Sequence, residues 1–458
     1  MKFNTMRTLT TFIAAACLAA VILAQQSNPP PKPSADRPSK VVQPAPPQSQ
    51  IDRIAESYVK LVLAVGQHDA EYVDSYYGPR VWQEQAAARK APLGEIRQQV
   101  VRIREELVAI PSSELGEMEK LRRRFLGRQL DSVKTRVDLL SGTKMKFDEE
   151  SAALFDAVAP YPPDTHFEAK LARANALLPG SGTLRERYEK FRQRFLVPQE
   201  KVEAVFRAAM QEARLRTRRH IQLPEGENIR IECVTGKPWT ASSRCLGNGQ
   251  SLVQLNTDVA YAVDELLNLA CHEGYPGHHL TILLLEDRLL RKRGWREYSV
   301  VPLHSPLLLM MEGTAVYSLA LAFPIAERIA FERDVLYPLA GLDPALATSA
   351  VPVFDVTEFL SNPWLSDASP TAARRHLDGL LKRTEMLEWL KALTLVPPDQ
   401  LELIAQFISH YRSYMISYTV GLDLVKRQIE KRAGADRDKQ WQEFERLQTP
   451  PRPPSDLR

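Results

Sequence analysis

The chain has 458 residues, 44% hydrophobic and 25% charged, which excludes a disordered or fibrous chain and fits a globular protein with a large core. A formal net charge of +4 is small for this length, and no concentrated basic stripe is present, so a nucleic-acid partner is not expected. The short cluster Arg214, Arg216, Arg218 and Arg219 reads as a solvated helix face.

At the N-terminus Lys2 and Arg7 precede an apolar run from Leu9 to Ala24, with small residues offering cleavage near Ala20 or Ala24. This is the pattern of a signal peptide over residues 1–24, and it implies an exported protein, periplasmic or secreted. The alternative is an uncleaved membrane tether, for which the run is short against the roughly 20 residues of a bilayer span. Membrane contact would in either case be confined to this segment. Residues 25–50 are proline-rich without apolar periodicity and read as a disordered linker, and 449–458 as a second disordered tail.

The body between them reads as mainly α, with an N-terminal helical part over 51–225 and a metal-site part of the same fold over 226–448. Ile54, Tyr58, Leu61 and Val65 recur at helical spacing. So do Ile96, Val100, Ile103 and Leu107, and then Leu121, Phe125, Leu130, Val133, Val137 and Leu140. Arg185–Arg219 is expected as a further helical stretch. Residues 229–234 and 251–256 carry β-branched and alternating residues, with turn formers Gly236, Pro238, Gly247, Asn248 and Gly249 between them, and predict a small β ribbon. Cys233 and Cys245 are candidates to pair across it, since an exported protein sits where disulfides persist. Helices are then predicted over 258–272, 280–290 and 307–323, with a helical C-terminal third. Cys271 reads as a buried small hydrophobe.

Three of the nine histidines lie in the octapeptide His272-Glu273-Gly274-Tyr275-Pro276-Gly277-His278-His279. Imidazoles bind a borderline-soft metal, and an adjacent carboxylate can take a proton from a metal-bound water. The helical zinc motif places its histidines at i and i+4, but that position here is Pro276. In a continuous helix residues i and i+6 are about 9 Å apart along the axis, too far to share an ion. Gly274, Pro276 and Gly277 break the helix, so that His278 can fold back towards His272. Glu312 follows an apolar run, where a carboxylate is costly unless paired or metal-bound, and is the candidate third ligand. Glu273 would be the general base. His279 reads as a support or substrate contact, and His304, His376 and His410 as structural.

The octapeptide, the Glu-Gly-X-Ala element Glu312–Ala315, the Ser-Tyr-X-X-Gly element Ser417–Gly421 and the Tyr-Tyr-Gly-Pro of Tyr76–Pro79 together resemble the bacterial family called domain of unknown function 885. That family is zinc metallopeptidase-like and related to the helical carboxypeptidases and oligopeptidases of the gluzincin group. The resemblance spans most of residues 51–430 and is specific at the motif blocks. It implies a large helical zincin-like body with the β ribbon beside the metal-site helix. It also implies His278 rather than His279 as second ligand, Glu312 as third, Glu273 as base, and Tyr418 near the metal. The family usually has alanine where this chain has Gly274 and an aromatic residue where it has Thr314; neither change removes a ligand. In many zinc peptidases a strand before the metal helix is a free edge that binds extended peptide, the role expected of Ser251–Asn256.

The expected function is therefore an exported zinc-dependent metallopeptidase with one Zn2+, acting on short peptides as a carboxypeptidase or oligopeptidase. Glu273 would activate the water, and Tyr418 or His279 would steady the oxyanion. Two alternatives fit the same residues. One is a metal-stabilised envelope binding protein without catalysis. The other is a zinc hydrolase of a non-peptide amide or ester.

Overall fold

The computed structural model describes residues 49–237 and 239–457, so the expected signal peptide and the linker up to residue 48 lie outside the described residues. The fold is mainly α. Helix α1 (Gln50–Val65) starts at Ser49, whose hydroxyl accepts from the Asp52 backbone N–H in a reciprocal capping box. Its residues Ile54, Tyr58, Leu61 and Val65 are buried, as are Ile96, Val100, Ile103 and Leu107 of α2 (Leu93–Ala109). Together with α3 (Glu117–Leu140) they close an N-terminal apolar core. Phe125 of α3 belongs instead to a second, larger core that extends to Leu457 and contains every element of the candidate site. Helix α3 is thus the wall shared by the two cores.

The predicted helix over Arg185–Arg219 is in fact two, Leu184–Gln193 and α4 (Val202–His220), with a 3-10 turn at Gln199–Lys201 before α4. Pro198 cannot donate to a helix, and the chain between them instead pairs Leu196 with Ala262. On α4, Arg214 and Arg216 are bound to Glu227 and to Glu212 and Glu327, and Arg216 also stacks over Phe323. The basic cluster is therefore only partly a solvated face.

The predicted ribbon is a three-stranded sheet, β2 (Asn228–Val234), β3 (Ala241–Gly247) and β4 (Gln250–Asn256), ordered β2-β4-β3. The sequence reading missed β3, whose Ala-Ser-Ser-Arg-Cys-Leu-Gly has little β-branched content. Strand β4 runs parallel to β2 and antiparallel to β3, joined to β3 by a turn in which Gly247, Asn248 and Gly249 all have positive φ. Two expectations fail here. With both neighbours paired, Ser251–Asn256 is the central strand and not a free edge. Cys233 and Cys245 sit on the two flanking strands with β4 between them, and both are free thiols. A separate two-stranded ribbon joins β1 (Val73–Tyr76) to β5 (Val300–Pro302).

Helix α5 (Val263–Glu273) follows β4 and packs between α4 and α7 (Pro306–Ala322). After the break, α6 (His278–Leu284) continues into a π-helical turn at Leu285–Arg291. Helix α7 is apolar on every side because it runs through the core: only Val316 and Ala320 fall outside its buried set. Among the described residues no single helix is long and apolar enough to cross a membrane. The terminal residues expected to be disordered are packed, with Leu457 in the larger core and a short 3-10 turn at Pro454–Leu457. Their proline content matches the linker, but Leu457 and Pro454 give them apolar surface to bury.

Helix α8 (Ile416–Ala433) crosses α7 at a pair of glycines. A Cβ on Gly313 would lie 2.3 Å from the Gly421 carbonyl carbon, and one on Gly421 would lie 2.4 Å from Leu309 O. The two motif glycines therefore permit direct backbone contact. In Gly421→Ala the helix gains about 1 kcal/mol of propensity, but the clash is with backbone that cannot rotate away. We expect a net loss of ~1–3 kcal/mol, read as a lower urea midpoint.

Candidate metal centre

The site is built on the chain reversal between α5 and α6. Gly274 N–H donates to Ala270 O at 3.1 Å and Gly277 N–H to Cys271 O at 3.0 Å, so residues 274–277 fold back on the end of α5. No larger residue fits at Gly277, where a Cβ would stand 2.0 Å from His272 O; one on Gly274 would stand 2.8 Å from Ala270 O and displace the Met210 side chain. The Tyr275–Pro276 peptide is cis. This compact reversal replaces the missing i+4 histidine with His278.

His272, His278 and Glu312 converge. The two Nε2 atoms are 3.1 Å apart, and Glu312 Oε2 lies 3.5 Å from His272 Nε2 and 3.6 Å from His278 Nε2. Ligand atoms around a tetrahedral ion with bonds near 2.0–2.2 Å stand roughly 3.3–3.6 Å apart. Glu312 Oε2, the oxygen facing both histidines, is buried and has no hydrogen-bond partner. An orphaned carboxylate oxygen in a core is costly, and a cation at this point would satisfy it. The donor set of two imidazoles and a carboxylate fits zinc, and these three residues could hold an ion.

The electrostatics of the site follow from its burial. Burial disfavours charge on both partners, but their mutual attraction prevails. The Glu312 carboxylate, then those of Glu273 and Asp74, push His278 up to about 9. His278 and His272 in turn hold Glu312 well below the usual carboxylate range. Glu273 is buried and has no hydrogen-bond or ion-pair partner among the described residues. It lies close enough to His278 and Tyr418 to affect both.

Tyr418 is half-buried next to the site, where burial, then the Glu312 carboxylate, push its phenol well above its ordinary value. It would remain a protonated donor throughout the neutral range. Of the roles expected of His279, its contacts fit support and not oxyanion donation. It is 1% exposed, with Nδ1 2.7 Å from Ser251 Oγ and Nε2 3.2 Å from Glu227 Oε2. Both ring nitrogens are thus committed away from the site, which removes His279 as an oxyanion donor. His304 is buried beside Phe155 and Tyr414, and Cys271 is fully buried, its thiol pushed up by burial.

Two residues near the site were not singled out from the sequence. Tyr414 donates its hydroxyl to Glu312 Oε1 at 3.0 Å and so orients the carboxylate whose other oxygen faces the histidines. Its spacing with Tyr411 and Tyr418 was visible but reads as packing. Asp74 of β1 is exposed and lies near enough to His278, Glu312 and Glu273 to feel their charges. Desolvation, offset in part by Ser75 and His278, raises its carboxyl.

Comparison with models of known protein families gives no match, nor does comparison with curated proteins. Among solved structures the chain is similar to a protein of Colwellia psychrerythraea named as a lipoprotein, at 14% identity and a TM-score of 0.46, over 87% of this chain and 75% of that one. A likeness of that degree says nothing of function.

Two predictions follow from the geometry. Below about 9 the metal-free site holds a proton on His278 that an ion must displace. Zinc binding at pH 7 should therefore release about one proton per ion, measured by calorimetry in buffers of different ionisation enthalpy, and affinity should fall as pH falls. The sign reverses for the metal-free fold: the His278–Glu312 attraction stabilises it fully below the ordinary 6.5 and is lost as pH rises through about 9. Separately, Tyr414→Phe leaves Glu312 Oε1 without its donor and should weaken zinc binding by ~10-fold, read by chelator competition.

Proposed function

We propose that the protein is an exported zinc-dependent metallopeptidase acting on short peptides, as its resemblance to the domain of unknown function 885 family implies. The observation that carries this reading is Glu273: a buried carboxylate with no hydrogen-bond or ion-pair partner among the described residues, directly following one ligand of a two-histidine, one-glutamate donor set. An ion that only stapled the loop would need His272, His278 and Glu312 and no such neighbour. An unpaired buried carboxylate costs stability and is retained where it moves protons.

When bound, zinc would supply Lewis-acid polarisation of the attacked carbonyl and lower the pKa of water. His272, His278 and Glu312 would hold it, with Tyr414 fixing the Glu312 carboxylate. Glu273 would accept the proton of the attacking water and pass it to the leaving amine. The Tyr418 phenol, kept protonated by its surroundings, would donate to the oxygen on which charge develops. The free edges of the sheet are β2 and β3, and β3 packs near α5 and α6. We assign to β3, rather than β4, the backbone pairing of an extended substrate.

The test is Glu273→Gln. Zinc should remain bound at one ion per chain while hydrolysis of a broad peptide mixture, followed by mass spectrometry, drops by at least ~10²-fold. Undiminished hydrolysis would remove Glu273 as base. Stoichiometric zinc with no cleavage of peptides, esters or amides by the wild type would favour the binding-protein alternative.

A further inference from the structure

We propose that Glu227 is the positioning residue of this centre: it holds both shoulders of the 274–279 turn and so sets where the His278 imidazole points. This rests on the reading of His272, His278 and Glu312 as metal ligands.

Glu227 lies immediately before β2 with its side chain buried. Tyr275 donates its hydroxyl to Glu227 Oε2, and His279 Nε2 stands 3.2 Å from the same oxygen. Glu227 Oε1 accepts from Arg214 Nε at 2.8 Å and from its terminal nitrogen at 2.5 Å. One carboxylate, anchored by a guanidinium from α4, therefore grips residues 275 and 279 on either side of His278. The Tyr275 and His279 rings also meet edge to face, with centroids 4.9 Å apart. Ser251 Oγ, 2.7 Å from His279 Nδ1, completes the grip from β4. Burial disfavours the Glu227 carboxylate, but hydrogen bonds from His279, Tyr275 and Arg214 outweigh it and hold the group ionised.

The row Ser251–His279–Glu227 has the residue types of a nucleophile relay, but its burial argues otherwise. Ser251 is 3% exposed and His279 1%, and the hydroxyl is held by the imidazole inside the fold. Tyr275 and Arg214 also share the carboxylate. A brace is the arrangement these contacts make. The need for one is local: Gly274 and Gly277 make the reversal possible, yet glycines cannot by themselves hold a turn in one conformation.

The experiment uses the full chain, with zinc affinity measured by chelator competition, the visible absorption of the cobalt-substituted protein, and the Tm of the metal-free protein. In Glu227→Gln, which keeps the volume but loses the charge, zinc should bind about 10–100-fold more weakly. The cobalt absorption should shift, while the metal-free Tm stays near that of the wild type. Tyr275→Phe releases one of the two grips and should show a smaller loss; it carries the test if Glu227→Gln does not fold. Combining the two should add little, because both act through one carboxylate. Unchanged affinity and cobalt absorption in both variants would overturn the proposal, as would an affinity loss that only follows the metal-free Tm downward. A wild-type protein that binds no zinc would overturn the metal reading itself, which separates the two failures.

Discussion

The structure around the site depends on one close approach: the backbone at Gly277 lies against the carbonyl oxygens of Cys271 and His272, where a Cβ would stand 2.0 Å from His272 O. That contact turns the chain back within four residues. It converts a six-residue histidine spacing, useless on a helix, into two Nε2 atoms 3.1 Å apart. Everything else near the centre serves to bring a third donor to that pair and to keep the turn closed.

The third donor arrives by a second close approach of the same kind. Gly313 follows Glu312 on α7, and Gly421 lies on α8, where their backbones touch. That crossing brings the segment carrying Tyr414 and Tyr418 beside the Glu312 carboxylate, which then has one oxygen hydrogen-bonded and one orphaned towards the histidines. The two motif blocks share one physical origin. Each pairs a chemical residue with a glycine that lets two backbones meet.

Much of this was legible in the sequence because it is written in residue types with few other uses. Helices showed through apolar periodicity, and the ligands through histidines and a glutamate set among helix breakers or apolar neighbours. What was not legible depends on partners distant along the chain. Tyr414 reads as packing until its contact with Glu312 is known, and nothing in the sequence around Asp74 marks it as a neighbour of His278. Glu227 looks like any turn residue, although it holds Tyr275 and His279. His279 shows the opposite case: directly after one ligand in sequence, it points instead to Ser251 and Glu227 because adjacent residues at a helix start face different ways. The sheet order was likewise hidden, since β3 has weak strand character and reaches its place beside β4 through the Gly-Asn-Gly turn.

The central claim is that His272, His278 and Glu312 form one metal site despite their spacing. X-ray absorption at the zinc edge, combined with metal analysis of the purified full-length protein, tests it most directly. One zinc per chain is expected, with two imidazole ligands and oxygen donors, and His278→Ala should lose stoichiometric zinc with the fold retained. Zinc absent from the wild type, or bound equally well by His278→Ala, would contradict it.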